Sequence, residues 1–460
     1  MKATSDIELL VRLDRASPTA LHLQLERGLR EAVRSGRLRP GTPLPSTRVL
    51  AGELAVARGV VSNAYTQLTA EGYLVSRRGS ATRVGEQGAA PAEPATPAAD
   101  PARPPRFDLR PGTPDVSLFP RRTWASALAA VLRDAPDDRF GYPMPQGALE
   151  LRTELAAYLG RVRGVVADPD AIVITSGVAQ GLSLVTRVLR ARGETRIGLE
   201  DPGTGPIRAQ LTAGGLEPVP IPVDDEGLDV TALASSGVPA VFVTPAHQFP
   251  TGVVLSPARR AQLLEWDGLV IEDDYDAEYR YDRAPVGAVQ GLASDRVVYL
   301  GSLSKTQAPA LRTGWLVAPP SLADAILREK AHDDNGTPVL EQLALARLLA
   351  RGEIDRHIRR TRLVYLRRRD VLLAALGRHL PEARPYGVAA GLHVVLELPA
   401  HLNDVAVAEA AARRDIAVMP LKQHRVAPRG PALILGYGQL AEPAIEAAVA
   451  ALAAAIRSAQ

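Results

Sequence analysis

The sequence predicts a chain in two parts: a small basic helical module, then a large α/β body built on a largely parallel sheet. Three observations carry this. Within residues 1–85 apolar positions recur at helical spacing between turn-forming Gly and Pro residues. From Phe107 onward short apolar runs alternate with amphipathic stretches, the pattern of strands and covering helices. The charge is also unevenly divided. Residues 1–85 hold 13 Lys/Arg and 7 Asp/Glu, whereas the 460-residue chain holds 54 and 51, which leaves the remainder at −3. A basic module on a mildly acidic body points to a polyanion partner for the first part alone. The absence of cysteine excludes disulfides, thiolate catalysis and cysteine-ligated metal. No apolar run reaches the ~18 residues of a membrane helix, and the first residues lack the apolar core of a signal peptide, so the expected location is cytoplasmic.

In the module, Leu21, Leu25, Leu29 and Val33 lie on one face of a helix over 21–34, which Gly36 ends. Ser46 is placed to cap a short helix over 47–54. Three residues later a third helix runs from Arg58 to about Glu71, closed by Gly72. The segments 73–75 and 82–84 read as two short strands joined by a basic turn. This order is that of a winged helix-turn-helix. Arg58, with Ser62 and Asn63 behind it, would enter the major groove of double-stranded DNA. Arg48 would meet phosphate, and Arg77, Arg78 and Arg83 would form the wing.

Residues 85–106 contain six prolines and almost no apolar periodicity, so they read as an extended linker. The division is then 1–84, linker 85–106, and body 107–460. In the body, candidate strands are 171–175, 196–200, 240–244, 268–272, 296–300 and 313–318, with helices at about 178–190 and 257–265. Ligands bind such sheets at the carboxyl ends of the strands, and three segments there carry chemistry. Ile172–Gly181 is a strand running through Ser-Gly into a helix, whose first amides form an anion site. Leu269–Asp276 is an apolar strand that empties into Glu272, Asp273, Asp274, Tyr275 and Asp276. A buried acid there needs a cation, whereas a solvated acidic loop would need nothing. Lys305 follows the strand at 297–300, with Ser302, Ser304 and Arg312 about it. A lysine between buried strands has a lowered pKa and a nucleophilic neutral amine, while the same residue in a surface loop would have neither.

Gly36–Ala51 and Ala70–Leu74 resemble the DNA-binding domain of GntR-type bacterial transcription factors, apart from Ala57 and Val60, where that family has Ser and Thr. The body resembles the aspartate-aminotransferase superfamily, fold type I of the pyridoxal 5'-phosphate (PLP) proteins, with its smaller C-terminal subdomain. Together they resemble MocR-type (GabR-like) regulators. The resemblance implies that Lys305 forms the Schiff base with PLP, Asp273 pairs with the pyridine nitrogen and Tyr275 contacts the phenolate oxygen. Ser302, Ser304, Arg312 and the amides of Gly177, Val178 and Ala179 would take the phosphate. Tyr142 would cross to the partner's phosphate in a head-to-tail homodimer, and the loop Pro245–Gly252, with His247, would lie beside the ring. The implied function is a transcriptional regulator whose operator binding responds to PLP, or to a small amine or B6-related effector, with control of vitamin B6 metabolism as one outcome. The alternatives are an aminotransferase with an attached DNA module and a dimerisation platform without cofactor. Thr204 stands where an aromatic normally stacks on the cofactor, and Ile434 where aminotransferases carry the arginine for a substrate carboxylate, so at most a half-reaction is expected. Lys422, His424 or Arg425 would compensate for that arginine in one reading; in the other, the favoured one, all three form a solvated loop.

Overall fold

The computed structural model describes residues 11–76, 80–85, 103–282 and 286–459. The chain divides into two compact units, Met1–Ala102 and Arg103–Gln460. Residues 86–102 of the expected linker lie outside the described residues, as do Arg77 and Arg78.

The first unit has α1 (Leu21–Arg34), α2 (Thr47–Glu53), α3 (Arg58–Ala70) and an antiparallel pair, β1 (Leu74–Val75) with β2 (Arg83–Val84). Its core is the stripe the sequence announced, Leu25, Leu29 and Val33, closed by Leu50, Val61 and Leu68. Ser46 caps α2 by accepting from the Val49 amide at 3.3 Å. The turn between α2 and α3 needs a left-handed residue, and Ala55 takes that position at φ 51°. Arg15 donates to the Ala55 carbonyl at 2.6 Å and steadies the turn. Val11, which no periodicity singles out, is also in this core, where a side chain at Gly28 would strike it.

The second unit opens with β3 (Phe107–Asp108), α4 (Arg121–Asp134) and α5 (Leu149–Arg163). A long α/β stretch follows: β4 (Ile172–Thr175), α6 (Val178–Ala191), β5 (Arg196–Asp201), α7 (Gly205–Ala213), β6 (Glu217–Asp224), β7 (Gly227–Leu228), α8 (Val230–Ser236), β8 (Ala240–Val243), α9 (Pro257–Glu265), β9 (Leu269–Asp273), β10 (Val297–Ser302) and β11 (Gly314–Val317). The helices α10 (Pro320–Asp334), α11 (Val339–Ala350) and α12 (Glu353–His379) lead to a smaller part. It holds β12 (Arg384–Tyr386), β13 (His393–Glu397), α13 (Asp404–Ala412), β14 (Ile416–Ala417), β15 (Met419–Pro420), β16 (Ala432–Gly436) and α14 (Glu442–Arg457).

The eight strands β4–β11 form one sheet in the order β4-β11-β10-β9-β8-β5-β6-β7, parallel from β10 through β6. β11 runs antiparallel between β4 and β10. The parallel strands β5, β8, β9 and β10 are buried on both faces, which is why they read as continuous apolar runs. Val298 and Leu300 pack on the α6 side, while Val297 joins the core under α8 and α9. The smaller part is an antiparallel sheet, β12-β13-β16-β15, and β14 pairs in parallel with β3 at the start of the unit. Among the described residues no helix is long and apolar enough to cross a membrane.

One buried ion pair holds the end of β9 in place. Arg163, 1 % exposed in its side chain, grips Asp274 with Nε at 2.6 Å and a second nitrogen at 3.2 Å. Tyr299 of β10 donates to the same carboxylate at 2.7 Å, and Arg163 also donates to the Val286 carbonyl at 2.6 Å. Arg163→Met leaves Asp274 buried with one hydroxyl donor and is expected to cost about 3–5 kcal/mol. Arg163→Met with Asp274→Leu should recover most of that. Urea unfolding of the full chain checks both, and a loss below about 1 kcal/mol in the single variant would contradict this account.

Candidate functional site

The parallel strands bring their carboxyl ends to a cavity of about 390 Å³. Lys305, Asp273, Tyr275, Ser302, Ser304, Arg312, Val178 and Ala179, eight of the residues picked from the sequence, line it.

At one end lies the turn between β4 and α6. Gly177 has φ 107°, a conformation that excludes side chains, and a Cβ there would come within 3.1 Å of the Arg312 guanidinium. Arg312 is itself left-handed at φ 48° and donates to the Ser176 carbonyl. That non-glycine strain brings the guanidinium over the turn. The Ser176 amide is spent on Gln180 Oε1 at 2.7 Å. The first-turn amides of α6, at Val178 and Ala179, precede any intrahelical carbonyl and face the cavity. Two serine hydroxyls, a guanidinium and a helix N-terminus make an anion pocket.

The acid strand supplies the opposite wall. Strand alternation sends Glu272 and Asp273 to opposite sides of the sheet. Glu272, 0 % exposed, accepts from the amides of Val289 and Gln290, both at 2.9 Å, and burial pushes its pKa up to about 7. Asp276 holds His247 Nδ1 at 3.0 and 3.1 Å. That packing tolerates only glycine at 391, because a Cβ there would lie 2.1 Å from the imidazole. Asp273 faces the cavity, and its Oδ1 is fully enclosed without a hydrogen-bond partner. Burial, reinforced by Asp274 and opposed by Lys305, pushes its pKa up to about 7. An enclosed carboxylate oxygen with no donor fits a cationic N–H brought by a ligand.

Lys305 is lowered from the usual lysine range, chiefly by burial and against the pull of Asp276 and Asp273. Its Nζ donates to the Gly112 carbonyl. Tyr275 is raised well above its ordinary value, first by burial and then by Asp276, so it keeps its proton. Its hydroxyl lies 3.1 Å from His247 Nδ1. That nitrogen carries one hydrogen at most in the neutral ring, and Asp276 takes it. The Tyr275 proton is thereby free for a group in the cavity.

His247 does not line the cavity; it stands behind Tyr275. Tyr142 is 95 % exposed and also lies outside the lining. The expected solvated loop at 422–425 is overturned for His424, which is buried and lines the cavity, whereas Lys422 is exposed. Phe249, from the loop expected beside the ring, also lines it, as do His393, Met419 and Gly112, to which the sequence assigned no role. Their signal lies in tertiary placement, because they come from two loops and two strands far apart in sequence. Thr204, where the resemblance leads one to expect an aromatic, lines the cavity. Ile434 is fully buried on β16 against Met419 and Val395.

In the first unit Arg48, Arg58, Ser62, Asn63 and Arg83 are all exposed. Ala57, the N-cap of α3, offers no side-chain acceptor, so the first amides of α3 stay free. Arg58 sits beside them, its Nε 3.3 Å from Thr47 Oγ1. Arg83 is fixed by donating to the Gly41 carbonyl at 2.9 Å.

The family described as bacterial regulatory proteins, gntR family, matches residues 21–84, and the aminotransferase class I and II family matches residues 114–433. The chain is 34 % identical to the probable rhizopine catabolism regulatory protein MocR of Rhizobium meliloti, over 92 % of this chain and 91 % of that protein. It is 36 % identical to the HTH-type pyridoxine biosynthesis transcriptional regulator PdxR of Corynebacterium glutamicum, over 85 % and 86 %. Among solved structures it is similar to an archaeal alanine:glyoxylate aminotransferase, with TM-score 0.72, 28 % identity, and 76 % of this chain against 91 % of that one. LysN, the α-aminoadipate aminotransferase of Thermus thermophilus complexed with N-(5'-phosphopyridoxyl)-L-leucine, gives 0.70, 28 %, 76 % and 92 %. With both halves matched and relatives aligned along nearly the whole chain, the protein belongs to the MocR-type family of HTH transcriptional regulators, in which a gntR-family helix-turn-helix unit precedes an aminotransferase class I and II domain.

Proposed function

We propose that this regulator holds PLP on Lys305 and that its binding to a double-stranded DNA operator responds to that occupancy. The observation that carries the reading is Asp273 Oδ1, enclosed and without a partner, in the same cavity as a half-buried lysine and an anion pocket. When bound, PLP supplies an aldehyde for the lysine and an electron-withdrawing ring. The chain's own residues do the rest. Asp273 takes the pyridine N–H, Tyr275 donates to the phenolate oxygen, and Asp276 and His247 keep Tyr275 oriented. Ser302, Ser304, Arg312 and the turn at Gly177, Val178 and Ala179 enclose the phosphate. Tyr142 on the exposed loop reaches the phosphate of a partner subunit in a head-to-tail homodimer. The protein works where its DNA is, in the cytoplasm.

The cavity's chemistry favours PLP or another B6 compound as effector over an amino acid. Its lining cations are Lys305 and Arg312. The lining also holds Phe249, Met419 and the imidazoles of His393 and His424. Burial lowers both imidazoles, His393 to about 3, with His247 adding to the effect. They are therefore neutral at pH 7, and a carboxylate placed there would be buried without a counter-charge. The name of the Corynebacterium relative, a pyridoxine biosynthesis regulator, accords with control of B6 supply.

Adding PLP to the purified protein should give a visible chromophore that borohydride makes permanent. Lys305→Ala should abolish it, and Asp273→Asn should weaken PLP binding by about tenfold or more. A chromophore of full strength in Lys305→Ala would sink the assignment. In a DNA-binding titration, PLP should move the midpoint and common amino acids should not; the reverse result would exclude B6 as effector. Arg58→Ala should weaken operator binding by about 1–3 kcal/mol while leaving the chromophore intact, as read by titration at fixed salt.

A further inference from the structure

Residues 107–118 form a strap that enters the second unit directly after the segment joining it to the DNA-binding unit. It is tied down at both ends. On one side Leu109 donates to Ala417 at 2.9 Å and accepts from the Gly436 amide at 2.7 Å. On the other the Asp115 amide donates to the Tyr365 hydroxyl at 3.0 Å, and Arg368 donates to the Asp115 carboxylate at 2.6 Å. Between these ties Pro111 and Gly112 line the cavity. Among the described residues the bond from Lys305 Nζ to the Gly112 carbonyl is the only one to the main chain of residues 111–114. Gly112 is held at φ 95°, and a Cβ there would lie 3.5 Å from Nζ, in van der Waals contact, so the strap runs directly beside the amine.

We propose that the Gly112 carbonyl is the resting partner of the free Lys305 amine, so that the strap is fastened when the lysine is free and unfastened when the lysine holds its cofactor. This rests on Lys305 as the PLP lysine. Condensation makes the reason plain: Nζ bonds the aldehyde carbon, the aldehyde oxygen leaves as water with two hydrogens from nitrogen, and at most one N–H remains. A nitrogen drawn to the ring no longer serves Gly112, and the span 111–114 loses its one main-chain tie. An amine ligand that displaces Lys305 from the cofactor would refasten it, so the strap distinguishes loaded lysine from free lysine whatever else the cavity contains.

The chain has no cysteine, so one introduced thiol can carry a nitroxide cleanly. Thr113 is exposed and serves as the site, in the full-length protein as Thr113→Cys. Without PLP the label should be slow. PLP, added until the visible absorption saturates, should shorten its rotational correlation time by about twofold or more, the scale expected for loss of one hydrogen bond in a short span. In Lys305→Ala with Thr113→Cys the label should already be fast without PLP and unmoved by it. Equal correlation times in the two backgrounds without PLP would overturn the proposal, as would a saturated chromophore with no change at 113. So would an equal change at a control label on exposed Ser458, because that would report general loosening. Absence of any chromophore would instead defeat the PLP reading, and the Lys305→Ala comparison would then decide the strap alone.

Discussion

The structure depends on how four carboxylates within five residues are kept in a low-dielectric interior. Each would be costly to bury as a bare charge, and the fold gives three of them separate partners. Glu272 takes two main-chain amides. Asp274 takes a fully buried arginine and a tyrosine. Asp276 takes His247. Asp273 alone is left with an enclosed oxygen and no donor. A fold that settles three of four neighbouring charges and leaves one open has a reason for the exception, and that reason is a ligand cation at the strand end. The same arrangement explains why Arg163 lies so deep: it holds the turn after β9, and with it the direction of Asp273 and Tyr275.

The helix-turn-helix follows a different economy. Its core is small and made by one stripe of α1 against α3, so little of its surface is committed to folding. The charged residues are left to face outward. The unpaired amides at the start of α3, uncapped because position 57 is alanine, and Arg58 next to them concentrate positive potential where a phosphate or base edge would approach.

Much of this was legible in the sequence, and the reason is periodicity. The α1 stripe, the Ser46 cap, the six candidate strands of the large sheet and the helix over 257–265 follow from spacing and turn residues, and the structure places each within about two residues of its expected bounds. Lys305, Asp273, Tyr275 and the 177–179 turn were visible because strand ends concentrate function. What was not legible comes from long-range packing. His393 begins a strand whose pattern says only that it is buried. His424 sits among exposed residues and is buried by Phe249 and Gly203 across more than 170 positions of sequence. His247 looked like a cofactor contact because its loop is adjacent; that it lies behind Tyr275 depends on a glycine at 391. The β3–β14 pairing, two residues on each side, is too short to carry any pattern at all.

A regulator built on a catalytic fold faces one thermodynamic requirement: its ligand must have different contacts in the two states it is to separate. A cofactor that merely filled the cavity would stabilise the body and say nothing to DNA. Lysine makes the difference available, because a free amine is a multiple hydrogen-bond donor and a condensed one is not. Here the free amine's partner is a main-chain carbonyl in the first segment of the body that the chain enters after the DNA-binding unit. A contact worth roughly 1 kcal/mol shifts an equilibrium by about fivefold, enough to matter for a regulator working near its midpoint and too little to hold the protein in one state. The buried isoleucine at 434, where the resemblance leads one to expect a substrate-binding arginine, belongs to the same logic. An enzyme must grip its substrate through turnover, whereas a reporter of lysine occupancy needs only that the nitrogen be either bound to the cofactor or bonded to the strap.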